Sequence, residues 1–169
     1  MCQQFPSGWI VLVFYLGGVV PDRFDLMEHD DVLASLRISS AWCALVNRSC
    51  LGELDLSRLA TATAWLEAAL VELDRALAGT HDVTLSVFDK PPVLHAPCSP
   101  THRDEIIDAF RRTNEQVRTV LAGVTEPTWS RSLRVGTPTA TTTSVAVEDL
   151  ARHFARVSQT CSVDGRWIW

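Results

Sequence analysis

One pair of side chains near the end of the chain has the spacing of a metal-binding site. Asp149 lies four residues before His153, and residues four apart share one face of a helix. A carboxylate and an imidazole can both bind zinc or nickel, and the site needs at least one further ligand from a neighbouring helix. His29 is the candidate for that third ligand. The same spacing fits an ordinary ion pair on a solvent-exposed helix face, and the sequence leaves both interpretations open.

Other catalytic patterns are missing from the sequence. It contains neither the Gly-x-Ser-x-Gly motif of a serine hydrolase nor a glycine-rich phosphate loop. Cys98 lies close to His95, but no third group is evident that would orient them for catalysis. The five cysteines are scattered and include no Cys-x-x-Cys pair, which argues against a zinc ribbon or a thioredoxin-like motif. Reduced thiols in a cytoplasmic protein are the expectation.

The composition indicates one folded domain. The chain has 169 residues, of which 47% are hydrophobic and 21% charged, and this length can bury a single core. The formal net charge is −5. The nearest thing to a basic cluster consists of Arg111, Arg112 and Arg118, which we interpret as a solvated helix face. Because non-specific nucleic-acid binding needs clustered positive charge, no nucleic-acid partner is expected. The predominance of arginine over lysine predicts a bacterial source with GC-rich coding.

Residues 1–27 form an apolar amino-terminal segment, which we separate from the main domain at residues 28–169. The run over residues 9–20 is mostly apolar but too short to span a membrane. No Lys or Arg precedes Arg23, which argues against a secretory signal. A buried strand is one interpretation, and an extension from a misplaced start codon is another. We expect no membrane span and a cytoplasmic location.

Two helices are predicted in the first half of the domain. Over residues 30–47, apolar side chains recur at steps of three and four, at Val32, Leu33, Leu36, Trp42, Leu45 and Val46. Over residues 55–78, a longer stripe ends at Gly79 and consists of Leu59, Ala62, Leu66, Ala69, Leu70, Leu73 and Leu77. We expect both stripes, together with Trp65, to lie in the core.

A long connection over residues 80–98 separates these helices from two more. Pro91 and Pro92 keep the connection out of a helix. The third helix is predicted over residues 99–123, with Ser99 or Thr101 as its cap and Pro100 in its first turn.

The fourth helix is predicted over residues 144–159, after a loop rich in threonine and serine. The tail over residues 163–169 contains three large apolar side chains and is expected to fold back onto the helices. The sequence therefore predicts a mainly α fold: a four-helix bundle with a short strand-like amino-terminal segment and a packed carboxyl-terminal tail.

The part of the chain from His102 to Gln159 resembles the DinB-like helical-bundle superfamily, in particular its mycothiol-dependent maleylpyruvate isomerase branch. The similar segments are DEIIDAFRR at residues 104–112, VLAGVTEPTW at 120–129 and VEDLARHFARV at 147–157. The resemblance implies a divalent metal held by one histidine of an earlier helix and by an acid–histidine pair, four residues apart, on a later helix. Asp149 and His153 match the later pair, and His29 and His81 are the candidates for the earlier histidine.

Two classes of function follow. One is a metal-dependent thiol transferase or isomerase, in which zinc or nickel would lower the pKa of a bound thiol or water, with a site that is either active or lost. The alternative is a non-catalytic helical module that binds a protein partner or a small ligand. The deciding observation is whether a second histidine lies within ligand distance of His153.

Overall fold

Four long helices and one short helix make up most of the described structure, a computed structural model that covers residues 27–79, 84–85, 100–135 and 143–164. The helices are α1 (His29–Leu45), α2 (Glu53–Ala78), α3 (Arg103–Ala122), the single turn α4 (Glu126–Trp129) and α5 (Val147–Gln159). A π-helical turn, Thr160–Asp164, continues from α5. The predicted mainly α fold is confirmed.

The helices pack so that α3 lies against both α1 and α2, while α5 lies against α1. The start of α1 lies beside the end of α3, because the His29 ring reaches the backbone oxygen of Leu121. The 3₁₀ turn after α1, Arg48–Cys50, lies beside the start of α3, where Arg48 pairs with Asp104. The two helices α1 and α3 are therefore antiparallel.

Acidic side chains set the starts of the first two helices. A carboxylate oxygen of Asp31 accepts a hydrogen bond from the backbone N–H of Glu28, and Asp55 does the same for Gly52. These carboxylates satisfy backbone donors that have no partner within the helix. The predicted Thr101 cap of α3 is wrong: α3 follows a 3₁₀ turn, Pro100–His102, and no side chain caps it. Ser99, the other predicted cap, lies outside the described residues.

The core is formed by one face of each long helix. On α2, the predicted stripe is confirmed, with Leu66 fully buried and Leu70 and Leu77 partly buried at its edge. The largest fully buried side chains include Phe110 of α3 and Phe154 of α5. On α1, the prediction for Leu45 is wrong, since 83% of this residue is exposed. The last turn of α1 extends past the neighbouring core, and periodicity along one helix cannot show where its partners end.

A small sheet covers one end of the helices. It consists of β1 (Thr84–Leu85), β2 (Ser132–Val135) and β3 (Thr143–Ala146), with β1 parallel and β3 antiparallel to β2. The prediction that the last helix begins at residue 144 is wrong, because residues 144–146 pair with β2. The N–H of Val147 donates to the backbone oxygen of Arg131 at 2.9 Å, so α5 begins where this pairing ends.

Several predictions fall outside the described residues. These are the fold of residues 1–26, including the apolar run at 9–20, most of the connection over 80–98 with His81, and the tail over 165–169.

Candidate functional site

Asp149 lies in the first turn of α5 and points outward. Its side chain is 54% exposed, and its Oδ1 atom accepts a hydrogen bond from Arg152 at 3.0 Å. Arg152 also pairs with Glu148 at 3.4 Å and donates from Nε to the backbone oxygen of Met27 at 2.8 Å. A metal site formed with His153 would need Asp149 to face the interior of the bundle, and it faces outward instead. Its carboxylate takes part in a clip in which Arg152 joins the start of α5 to Met27, two residues before α1.

His153 is partly buried on the inner side of α5. Its ring lies edge-on against Trp65 of α2, with the ring centroids 5.1 Å apart, and Trp65 also contacts Phe154. Burial lowers the pKa of His153 from its ordinary 6.5 to about 4, and the positive charge of Arg156 contributes in the same direction. The imidazole is therefore neutral at pH 7 and packs as a core side chain.

His29 lies at the start of α1, against a different set of residues. Its Nε2 atom is 2.8 Å from the backbone oxygen of Leu121. Because a carbonyl can only accept, this nitrogen carries the proton and donates it. The ring also lies against Trp129 of α4, with the centroids 4.5 Å apart. The hydrogen bond ties α1 to the end of α3, and the ring contact ties α1 to α4. The hydrogen bond also occupies the Nε2 atom that would otherwise be free to bind a metal.

The predicted convergence of Asp149, His153 and His29 is not found. Among residues 27–79, 84–85, 100–135 and 143–164, no three His, Cys, Asp or Glu side chains form a group that could hold a metal ion. Asp149 is bound to Arg152, His153 packs on Trp65, and His29 bonds to Leu121. Sequence spacing places the first two on one turn of α5, but it does not determine what each side chain meets across the bundle.

A different feature, an open groove between α1 and α3, has the character of a binding surface. We call it the α1–α3 groove. Its lining residues are Arg37, Ser40, Ala41 and Ala44 from α1 and Arg111, Arg112, Glu115 and Gln116 from α3. The sequence offered one signal for it, the adjacent Arg111 and Arg112, which we interpreted there as a solvated face. The contribution of α1 was missed, because Arg37 stands alone in its helix.

The charges along this groove are only partly balanced. Glu115 pairs with Arg118 at 2.9 Å. Burial by itself would raise the pKa of Glu115, but the Ser40 hydroxyl and Arg118 outweigh this and hold the pKa below its ordinary value. The carboxylate of Glu115 is thus ionised at pH 7 and paired with Arg118, so the groove lining carries three arginines against one glutamate.

The arginines of the groove differ in how far they are paired. Arg111 lies 3.9 Å from Asp108, which is held more closely by Arg48 at 3.1 Å. Neither Arg37 nor Arg112 has a salt bridge within the part of the chain that the structure describes. Both are exposed. The groove is therefore a positive strip on a chain whose formal net charge is −5.

Beside the groove, the outer face of α1 is apolar. Four exposed residues follow each other at steps of four, three and four along this helix: Ala34, Ile38, Ala41 and Leu45. Ile38 is 53% exposed and Leu45 is 83% exposed. Residues at this spacing lie on one side of a helix. We call them the α1 ridge. The opposite side of α1 is buried and includes Val32, Leu36 and Cys43, so this helix has apolar side chains on both its inner and its outer face.

The described helices give no membrane-spanning candidate, since none is long and apolar enough to cross a bilayer.

Comparison of the chain with protein-family models, with curated proteins and with solved structures gives no match. The α1–α3 groove and the α1 ridge are therefore assessed from their own chemistry.

Proposed function

We propose that the protein is a non-catalytic helical module that binds a partner carrying negative charge in the α1–α3 groove. The observation that carries this proposal is the pair Arg37 and Arg112, exposed on the two walls of one groove and without a salt bridge among the described residues. Arginine is well suited to this role, because its planar guanidinium forms paired hydrogen bonds with a carboxylate or phosphate.

The wider electrostatics support the same assignment. On a chain whose net charge is −5, a local positive groove favours one place for an acidic partner. The groove is open, as suits a segment of another molecule better than an enclosed small ligand. The DinB-like relationship and a cytoplasmic location stay predictions.

A titration with a fluorescein-labelled oligoglutamate peptide tests the proposal. We expect fluorescence anisotropy to rise with protein concentration and the affinity to fall when salt is raised from 20 to 200 mM, because exposed charges are screened. The variant with both Arg37→Glu and Arg112→Glu should lose binding. Arg75→Glu, on an exposed position of α2, is the matched control and should bind as the wild type does. Equal binding by the wild type and the double variant would reject the groove as the site.

A further inference from the structure

The α1–α3 groove and the α1 ridge lie side by side, and together they define the form of the partner as well as its charge. We infer that the occupant is an amphipathic helix of another protein, with an apolar stripe that packs on the α1 ridge and acidic side chains along the flank that faces the groove. This inference rests on the proposed function and adds to it the shape and the apolar contact.

The α1 ridge has the length and spacing of a helix-docking surface. From Ala34 to Leu45 it extends over about 16 Å, at about 1.5 Å per residue, which corresponds to three turns of a partner helix. Large and small side chains alternate along it, with Ile38 and Leu45 as the large ones. Such alternation leaves spaces between Ile38 and Leu45 in which the side chains of a second helix can pack.

The groove beside the ridge has small residues where a second backbone must come close. Two of the four residues that line it from α1, Ala41 and Ala44, carry no side chain beyond Cβ. Arg37 on one wall and Arg111 and Arg112 on the other lie where they would meet carboxylates on one flank of the docked helix. Peptide recognition of this kind combines apolar anchors at helical spacing with charged contacts at the rim.

The charge argues for a different protein as occupant over a second copy of this chain. In a two-fold symmetric contact the same patch meets itself, so a groove lined by three arginines and one glutamate would meet a second groove of the same net positive charge. Like charges brought together in this way oppose association. Nucleic acid fits less well, because the groove has three arginines and the ridge beside it is apolar, whereas backbone phosphates need many cationic contacts.

The test compares two peptides of identical composition. The first is a helix-stapled peptide with leucine at positions i, i+4, i+7 and i+11 and glutamate along one flank; the second has the same residues in an order that removes the stripe. We expect the first to bind at least about tenfold more tightly, a difference typical of losing one or two buried anchors. It should also shift the ¹⁵N–¹H resonances of α1 and α3 selectively.

Matched variants distinguish binding to the α1 ridge from non-specific binding to any exposed apolar side chain. The double variant Ile38→Ser with Leu45→Ser should weaken binding of the ordered peptide about tenfold or more. The control, Leu54→Ser with Val71→Ser, removes two other exposed apolar side chains, which are 56% and 59% exposed, and should leave the affinity unchanged. All four positions are exposed, so a thermal melt should show that both variants fold like the wild type.

The outcomes distinguish this inference from the proposed function. If both peptides bind equally and the arginine double variant abolishes that binding, the groove recognises charge alone, and the inference of a docked helix is overturned while the proposed function stands. If neither peptide nor oligoglutamate binds, both are overturned. A free protein that self-associates in sedimentation through Ile38 and Leu45 overturns the inference, because a second copy then covers the ridge. Tighter binding of a single-stranded oligonucleotide than of the ordered peptide also overturns it.

Discussion

The imidazole of His153 packs edge-on against the indole of Trp65, with the ring planes at 77° and the centroids 5.1 Å apart. Trp65 is only 6% exposed, so the histidine is directed into the core between α5 and α2. This contact removes water from the imidazole and is the physical basis of its low pKa. It also explains why a residue with metal-ligand spacing in the sequence acts as a packing side chain in the fold.

Acid should destabilise the protein through His153. Its pKa is about 4 in the folded protein and 6.5 in the unfolded chain, so protons bind the unfolded state more tightly. The stabilising effect of keeping this ring neutral is fully present above pH 6.5 and is lost as the pH falls towards 4. Between pH 7 and pH 5 the free energy of unfolding should fall by about 2 kcal/mol on this account.

Urea denaturation at both pH values measures the change, and His153→Phe should remove most of it while keeping an aromatic ring against Trp65. The control is His102→Phe, the same chemical change at an exposed position away from Trp65. If the stability of His153→Phe depends on pH as strongly as that of the wild type, His153 is not the source of the loss in acid.

The core of α2 should be sensitive at Leu66 and the end of α1 insensitive at Leu45. Leu66 is fully buried, and Leu66→Ala should cost about 2–5 kcal/mol, because it removes buried contacts and leaves a cavity. Leu45→Ala is the same chemical change at a position that is 83% exposed, and it should cost less than about 0.5 kcal/mol. Chemical denaturation of the two variants in parallel checks this. Similar losses in both would mean that the last turn of α1 is covered in solution.

The Arg152 clip should contribute more to stability than an ordinary surface pair. Arg152 is 19% exposed and joins Glu148, Asp149 and the backbone oxygen of Met27. Arg152→Ala leaves that carbonyl without its charged donor and should cost about 1–3 kcal/mol. Arg118→Ala breaks only the Glu115 pair, at 38% exposure, and should cost less than about 1 kcal/mol. Thermal melts rank the two, and a larger loss in Arg118→Ala would disprove the clip.

The three cysteines in the described structure should react at different rates. Burial raises the pKa of both Cys43 and Cys161 to about 12, whereas Cys50 is exposed. Since the thiolate is the reactive form, iodoacetamide at pH 8 should alkylate Cys50 first, and the two buried thiols only after urea is added. Peptide mapping by mass spectrometry reads each site separately. Modification of Cys43 as fast as Cys50 without urea would show that the interior of α1 opens readily.

Metal addition should not stabilise the protein, since Asp149, His153 and His29 each have other partners. After treatment with a chelator, we expect the same melting temperature with and without stoichiometric zinc or nickel. A ligand that binds only the folded state must raise the melting temperature. An increase that disappears in both Asp149→Asn and His29→Ala would restore the metal-site hypothesis and reject the non-catalytic assignment.

The stripe of α2 could be predicted because its information is local. Leucine and alanine at steps of three and four mark one helix face whatever lies across from it, and Leu59, Leu66 and Leu73 are indeed buried. The mainly α class follows from such patterns. The small sheet could not be predicted in the same way, since β2 and β3 are stable only as a pair and β1 joins them from elsewhere in the chain.

The candidate sites depended on tertiary structure for a similar reason. The sequence determined that Asp149 and His153 lie one turn apart on α5 and that Arg152, three residues after Asp149, can pair with it. Only packing decided that Trp65 covers His153 and that Arg152 reaches the backbone oxygen of Met27. On α1, apolar residues occur on both faces, so the sequence could not show which face would be covered. The α1–α3 groove likewise brings Arg37 beside Arg111 and Arg112, residues separated by more than seventy positions in the chain. Helical periodicity is a property of neighbouring residues, whereas a binding surface is made by the faces of different helices that packing brings together.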